Sequence, residues 1–182
     1  MKFRRTELPD VWLLELEPHH DDRGWFAREF CAAELAAHGL ELPLVQCNLS
    51  YNRHRGTLRG LHWQAPPFEE TKIVRVLTGA VLDVVVDIRP GSPTRGRFVM
   101  VRLAADRGQA LYVPRGFAHG FLTLEDHTLV LYHMSAMYHP DAARGARWDD
   151  PAFGIPWPET PRYISARDRS YPPFDPGQGG AT

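Results

Sequence analysis

The sequence is short of cysteine, of long apolar runs and of excess charge, and each scarcity removes a class of protein. Only Cys31 and Cys47 occur in 182 residues. Two thiols do not make a disulfide framework, so a reducing cytoplasm is the expected setting. No apolar stretch approaches the roughly 20 residues of a membrane span, so no membrane partner is expected. The opening "MKFRRTELPDVW" has basic residues without a following apolar core, so no signal peptide is expected. The formal net charge of -1 gives no bulk attraction to nucleic acid or anionic lipid. Helical pattern is scarce as well. The one convincing helix is "AAELAAHGL", with Ala32 to His38 as good helix formers and Gly39 as its stop.

Turn formers are plentiful: 16 prolines and 15 glycines favour many short elements over long helices. The stretch "KIVRVLTGAVLDVVVDIR" is rich in β-branched residues and turns near Thr78-Gly79. Its first strand presents Ile73, Arg75 and Leu77 on one face and Val74, Val76 and Thr78 on the other. "GRFVMVRLA", "QALYVP", "HGFLTL" and "HTLVLYHMSAMY" follow as further turn-bounded strands. This spacing suits a sandwich or closed antiparallel barrel, whose inward residues can line a ligand cavity. The expectation is an all-β barrel or jelly roll with a few short peripheral helices. Residues 1–182 suit a single domain, with the Pro- and Gly-rich end from about 173 to 182 fraying.

Two histidines are well framed. In "YVPRGFAHGF", Pro114, Gly116 and His119 spell P-x-G-x-x-H, a turn that delivers a histidine onto a strand. This is similar to the second motif of cupins, a jelly-roll superfamily. In "TLRGLHWQ", His62 follows Arg59-Gly60-Leu61. A metal-binding cupin supplies H-x-H and a later carboxylate, because a divalent ion needs three or four converging ligands. Here Gln64 stands at the second ligand position, and Lys72 downstream would repel a cation. No metal is therefore expected. Acid–base chemistry is the alternative. Histidine is the side chain suited to trading protons near neutrality, which makes His62 a candidate base; Asp168 of "SARDRS" could orient it, Lys72 could stabilise an oxyanion, and Tyr132 of "LVLYHMS" could donate a proton. Each also has a plain structural reading: packed histidine, turn aspartate, surface lysine, core tyrosine.

Taken together, "DRGWF", "VQCNLS", "GTLRGLHWQ", "VLDVVVDIRPGSPTRG", "YVPRGFAHGF", "LYHMSAMYHP" and "WDDPAFGIPWP" strongly resemble the sugar-nucleotide epimerase family typified by dTDP-4-dehydrorhamnose 3,5-epimerase. The resemblance runs from about Leu13 to Asp168. It implies a cupin-type jelly roll and an epimerase of a nucleotide-linked 4-keto-6-deoxyhexose. It further implies a homodimer and no metal or redox cofactor. It puts the base on His62, its carboxylate on Asp168, the general acid on Tyr132 and the enolate-stabilising cation on Lys72. Tyr138 matches the residue that stacks on the nucleotide base. Arg23 and Arg59 match diphosphate contacts, and Gln46, Asn48 and His119 match further substrate contacts.

Three positions that the resemblance places close to the substrate depart from the family pattern. Arg28 and Ala143 stand where glutamates are usual, and Arg167 replaces a frequent lysine. The acid–base set is intact, so the reaction type carries over, while the nucleotide or sugar can differ. A single-centre epimerase at C3 or C5 stays open. So do a 3,4-ketoisomerase on the same barrel, a metal-dependent cupin and a non-catalytic sugar-binding module.

Overall fold

The computed structural model describes residues 1–174. In chain order the strands are β1 (Lys2–Arg5), β2 (Trp12–Glu15), β3 (His19–Asp21), β4 (Gly24–Phe26), β5 (Gln46–Asn52), β6 (Thr57–Gln64) and β7 (Lys72–Thr78). They continue as β8 (Ala80–Asp87), β9 (Phe98–Ala104), β10 (Gln109–Val113), β11 (Phe117–Thr123), β12 (Thr128–Met134), β13 (Ala143–Gly145) and β14 (Tyr163–Ile164). The α-helices are short: α1 (Ala32–Ala37) and α2 (Ala166–Arg169). α1 ends where expected, with Gly39 at a φ of 70°. α2 was not legible in the sequence. The strand expected to run on through Tyr138 ends at Met134.

Two antiparallel sheets face one another as a cupin-type jelly roll. One has the order β1-β2-β10-β7-β12-β5, the other β13-β6-β11-β8-β9, with β14 joining β6 in parallel. Val74, Val76, Leu111 and Val130 from the first sheet meet Val81, Val85, Phe117 and Phe121 from the second. Burial of these side chains supplies the main driving force, about 1.5–3 kcal/mol for each fully covered one. Ile73, Tyr112 and Ala110 turn outward against Leu35, Leu40 and Leu42 around α1. On the far side, Leu61, Val84, Val86 and Ala118 are covered by Ala146 and Phe153. Phe174 closes that layer: its N–H donates to Asp150 at 2.6 Å and its ring lies 4.8 Å from that of Phe153. Phe174 lies within the span where the tail was expected to begin, and 175–182 lie outside the described residues.

One contact fixes how β6 and β11 carry their histidines. An ideal Cβ on Gly60 would lie 2.5 Å from Gly120 Cα, and Gly60 has a φ of 129°. Only glycine allows both the backbone angle and this approach. The β6–β11 register shifts beside it, and His62 and His119 end as direct cross-strand partners. The hairpin β3–β4 belongs to neither sheet.

Candidate active site

Alternation along the strands sets which side chains face the cavity between the sheets. Leu61 belongs to the outer layer, so its neighbour His62 points inward, as does its partner His119. On the opposite sheet Lys72 shares a face with Val74 and Val76, and Tyr132 packs against the same core. Asn48 is the cross-strand partner of Tyr132, and Gln46 of Met134. His62, Lys72, Tyr132, Gln46 and Asn48 therefore gather near one end of the roll, from two facing sheets.

The expected pairing of His62 with Asp168 is present. His62 Nε2 lies 2.8 Å from Asp168 Oδ1, and Gly60 N–H donates to Oδ2 at 3.3 Å. Asp168 is presented by α2, where its own N–H is capped by Ser165 Oγ at 3.0 Å. Burial pushes the Asp168 carboxyl up, but the His62 hydrogen bond and charge, with Gly60 and Ser165, outweigh it and hold its pKa below the ordinary value. Asp168 is a carboxylate at neutral pH. It accepts Nε2–H and leaves the lone pair of a neutral His62 on Nδ1, which has no hydrogen-bond partner among the described residues. That is the arrangement of a base.

Tyr132 comes from the opposite sheet. Its ring meets His119 edge-on at 6.1 Å between centroids. His119 Nε2 lies 3.0 Å from both oxygens of Asp83, which is fully buried. Burial drives the Tyr132 phenol far above its usual pKa, the Asp83 charge adds to this, and Arg59 offsets part. The phenol stays protonated, as a proton donor must. Lys72 Nζ pairs with Glu70 Oε1 at 2.8 Å, both almost covered.

The remaining expected residues divide into two groups. Gln46 Nε2 donates to Asn48 at 3.1 Å, and Gln46 Oε1 accepts the Tyr138 N–H at 3.3 Å. The Tyr138 hydroxyl beside Arg167 raises the pKa of the Arg167 guanidinium. Ala143 pairs with Gln64 across β13 and β6. Arg59 donates to Asn52 at 2.8 Å and lines, with His62, Arg167 and Asp168, a cleft of about 560 Å³. Lys72 and Tyr132 are not on the walls of that cleft. Arg23 and Arg28 stand apart from the site of their own chain. Arg23 is at the tip of the β3–β4 hairpin, bound to Asp21, with its side chain 89% exposed. Arg28 is bound to Glu34 of α1.

Sequence reading missed four residues. Asp83 was signalled, since a carboxylate inside the apolar "VLDVVVD" is out of place unless paired. Glu70 sits two residues from Lys72 and is its partner. Gln64 was considered only as an absent metal ligand, whereas its amide binds the backbone of two loops. Tyr171 gave no sequence signal. Its ring occupies the space above Gly145, lies 5.9 Å from the His62 ring, and sits beneath the Arg167 guanidinium at 5.8 Å.

The sequence model of the dTDP-4-dehydrorhamnose 3,5-epimerase family matches residues 5–176. The chain belongs to this family. A dTDP-4-dehydrorhamnose 3,5-epimerase of Sinorhizobium fredii is 42% identical over 94% of this chain and 89% of its own length. Among solved structures, the family enzyme of Bacillus anthracis, with TDP and pyrophosphate bound, superposes with a TM-score of 0.92 at 41% identity. It covers 95% of this chain and 99% of that one. A dTDP-6-deoxy-D-glucose-3,5-epimerase of Legionella pneumophila, in complex with dTDP-4-keto-L-rhamnose, gives 0.86 at 35% identity over 92% and 89%. Like its family, the chain is an isomerase with a jelly-roll fold. Among the described residues no helix is long and apolar enough to cross a membrane.

Proposed function

We propose that this chain inverts C3 and C5 of a dTDP-linked 4-keto-6-deoxyhexose. The observation that carries the reading is the opposed pair: His62, held by buried Asp168, on one sheet, and a protonated Tyr132 on the facing sheet. A carbon next to the C4 ketone carries a weakly acidic proton. His62 Nδ1 removes it, Asp168 stabilises the imidazolium that forms, and the electron pair moves onto the ketone oxygen. Lys72 stabilises that enolate oxygen. Tyr132 returns a proton from the other face, which inverts the centre. The C4 carbonyl is restored, so the sugar undergoes no net redox change and the step needs no redox cofactor.

Tyr138 stacks on the base, Arg59 and Arg167 take the diphosphate, and Gln46, Asn48 and His119 complete the contacts. Guanidinium forks match phosphate oxygens. The substrate class is supported by the nucleotide and sugar ligands held by the similar structures. Arg28 and Ala143, at positions where the family pattern has glutamate, alter the electrostatics of base and sugar recognition.

The functional unit is a homodimer of single-domain chains in a reducing cytoplasm. Trp25 and Phe26 on the stranded hairpin, with Leu49 and Tyr51 on the β5 edge, are exposed apolar side chains that a second copy would cover. Such a copy would also bring Arg23 and Arg28 to a neighbouring site. Both cysteines are free. The test is product NMR after incubation with dTDP-4-keto-6-deoxyglucose. Inverted centres with the carbonyl still at C4 support the reading. A carbonyl moved to C3 identifies a ketoisomerase, and unchanged substrate identifies a binding module.

A further inference from the structure

Gln64 lies two residues after His62 on β6, on the same face, and is 5% exposed. Its Nε2 donates to the carbonyls of Phe68 at 2.9 Å and Met137 at 3.2 Å, and its Oε1 accepts the His139 N–H at 2.6 Å. The amide orientation is forced, because two partners only accept and the third only donates. Met137 and His139 flank Tyr138. The intervening Tyr138 N–H is bound by Gln46. Phe68 also stacks on His139 at 3.8 Å between centroids. One amide and one stack thus fasten the loop after β6 to the loop after β12. The first of these loops carries Glu70, the partner of Lys72.

We propose that Gln64 is a positioning residue: it grips the backbone on both sides of Tyr138 and so sets where that ring meets the nucleotide. The proposal rests on reading Tyr138 as the base-stacking residue. It gives β6 two tasks, with His62 working on the sugar while Gln64 places the recognition loop. Other side chains fail for stated reasons. A glutamate would set its charge against two carbonyls. A methionine would fill the space and take the side-chain partner from three backbone groups.

Two readouts test this on the folded full-length chain, with Gln64→Met and Gln64→Glu. Hydrogen exchange of residues 135–140 should quicken about tenfold or more in Gln64→Met, because the His139 N–H loses its acceptor. Amides of β8 and β11 should be unchanged and serve as the control for global unfolding. Gln64→Glu should keep the His139 amide more protected than Gln64→Met does, since an acceptor remains. With dTDP-4-keto-6-deoxyglucose, KM should rise roughly tenfold or more in Gln64→Met while kcat stays within about threefold. In a Tyr138→Ala background the same change should add less than about twofold to KM, because the two act together. Unchanged exchange at 135–140 overturns the proposal whatever Tyr138 does. Faster exchange with unchanged KM overturns it too, and Tyr138→Ala alone then locates the fault. If that variant also keeps its KM, the nucleotide reading of Tyr138 has failed. If its KM rises, only the link from Gln64 has failed.

Discussion

Replacing Asp168 by asparagine removes one charge and keeps the side chain's shape. The carboxylate accepts from His62 at 2.8 Å and from Gly60 N–H at 3.3 Å. With charge centres about 4 Å apart, an imidazolium and this carboxylate attract by about 4 kcal/mol at an effective dielectric of ~20, and by about 1 kcal/mol in water. The His62 side chain is 41% exposed in the free chain while Asp168 is only 6% exposed, so the working value lies between these limits. A hydrogen bond to a charged group contributes about 1.5–3 kcal/mol, which agrees. In the proposed step the imidazolium forms as the proton is abstracted, so the loss falls on kcat rather than on ground-state binding. Asp168→Asn should lower kcat roughly 30- to 150-fold, taking 2–3 kcal/mol, with KM within about threefold. There is a further cost. Asparagine has one acceptor for two donors, and an amide turned toward His62 would push the ring proton onto Nδ1, where the base lone pair is needed. The estimate is therefore a lower bound. The assay is steady-state turnover of dTDP-4-keto-6-deoxyglucose followed by NMR. A kcat within threefold of the unaltered enzyme would refute the claim that Asp168 orients and charges the base.

Other expectations follow from the same geometry. Tyr132→Phe should reduce inverted product by about 10²–10⁴-fold, while solvent deuterium still enters recovered substrate because His62 is intact; loss of both together would contradict separate acid and base. Lys72→Met should fail partly through folding, since it leaves Glu70 as a buried unpaired charge at a cost of about 3–5 kcal/mol. Lys72→Met combined with Glu70→Gln should recover the thermal stability but not kcat, and recovery of both would remove Lys72 from the chemistry. Asp87 is held by Arg89, Ser92 and Thr94. Burial raises its pKa, but these partners prevail and bring it to about 2. Being depressed on folding, it contributes about 2 kcal/mol at neutral pH, and this is lost as the pH falls from about 4 through about 2. Asp87→Asn should lower the urea midpoint at pH 7 and much less at pH 2, and equal effects at the two would refute this.

Much of the architecture was legible because the strands from Lys72 onward are rich in β-branched and apolar residues and bounded by turn formers. α2 was not, because four residues carry no helical period, yet it delivers Asp168. The local chain could offer His62, Lys72, Tyr132 and Asp168 only as separate candidates. Their convergence depends on two six-stranded sheets folding over one another, which no local pattern encodes. Gln64 illustrates the limit most clearly. Its spacing from His62 invited comparison with a metal ligand, while its amide binds loop residues 4 and 73 positions away. Arg23 and Arg28 show the reverse case. Motif resemblance placed them at the substrate, but one chain leaves them outside the site, bound to Asp21 and Glu34.

The central claim is that His62 removes protons from the carbons flanking the C4 ketone. Incubating the unaltered chain with dTDP-4-keto-6-deoxyglucose in deuterated water tests it most directly. The account predicts deuterium at both C3 and C5 of the product, abolished by His62→Ala. Deuterium at neither carbon, or undiminished labelling in His62→Ala, would contradict it.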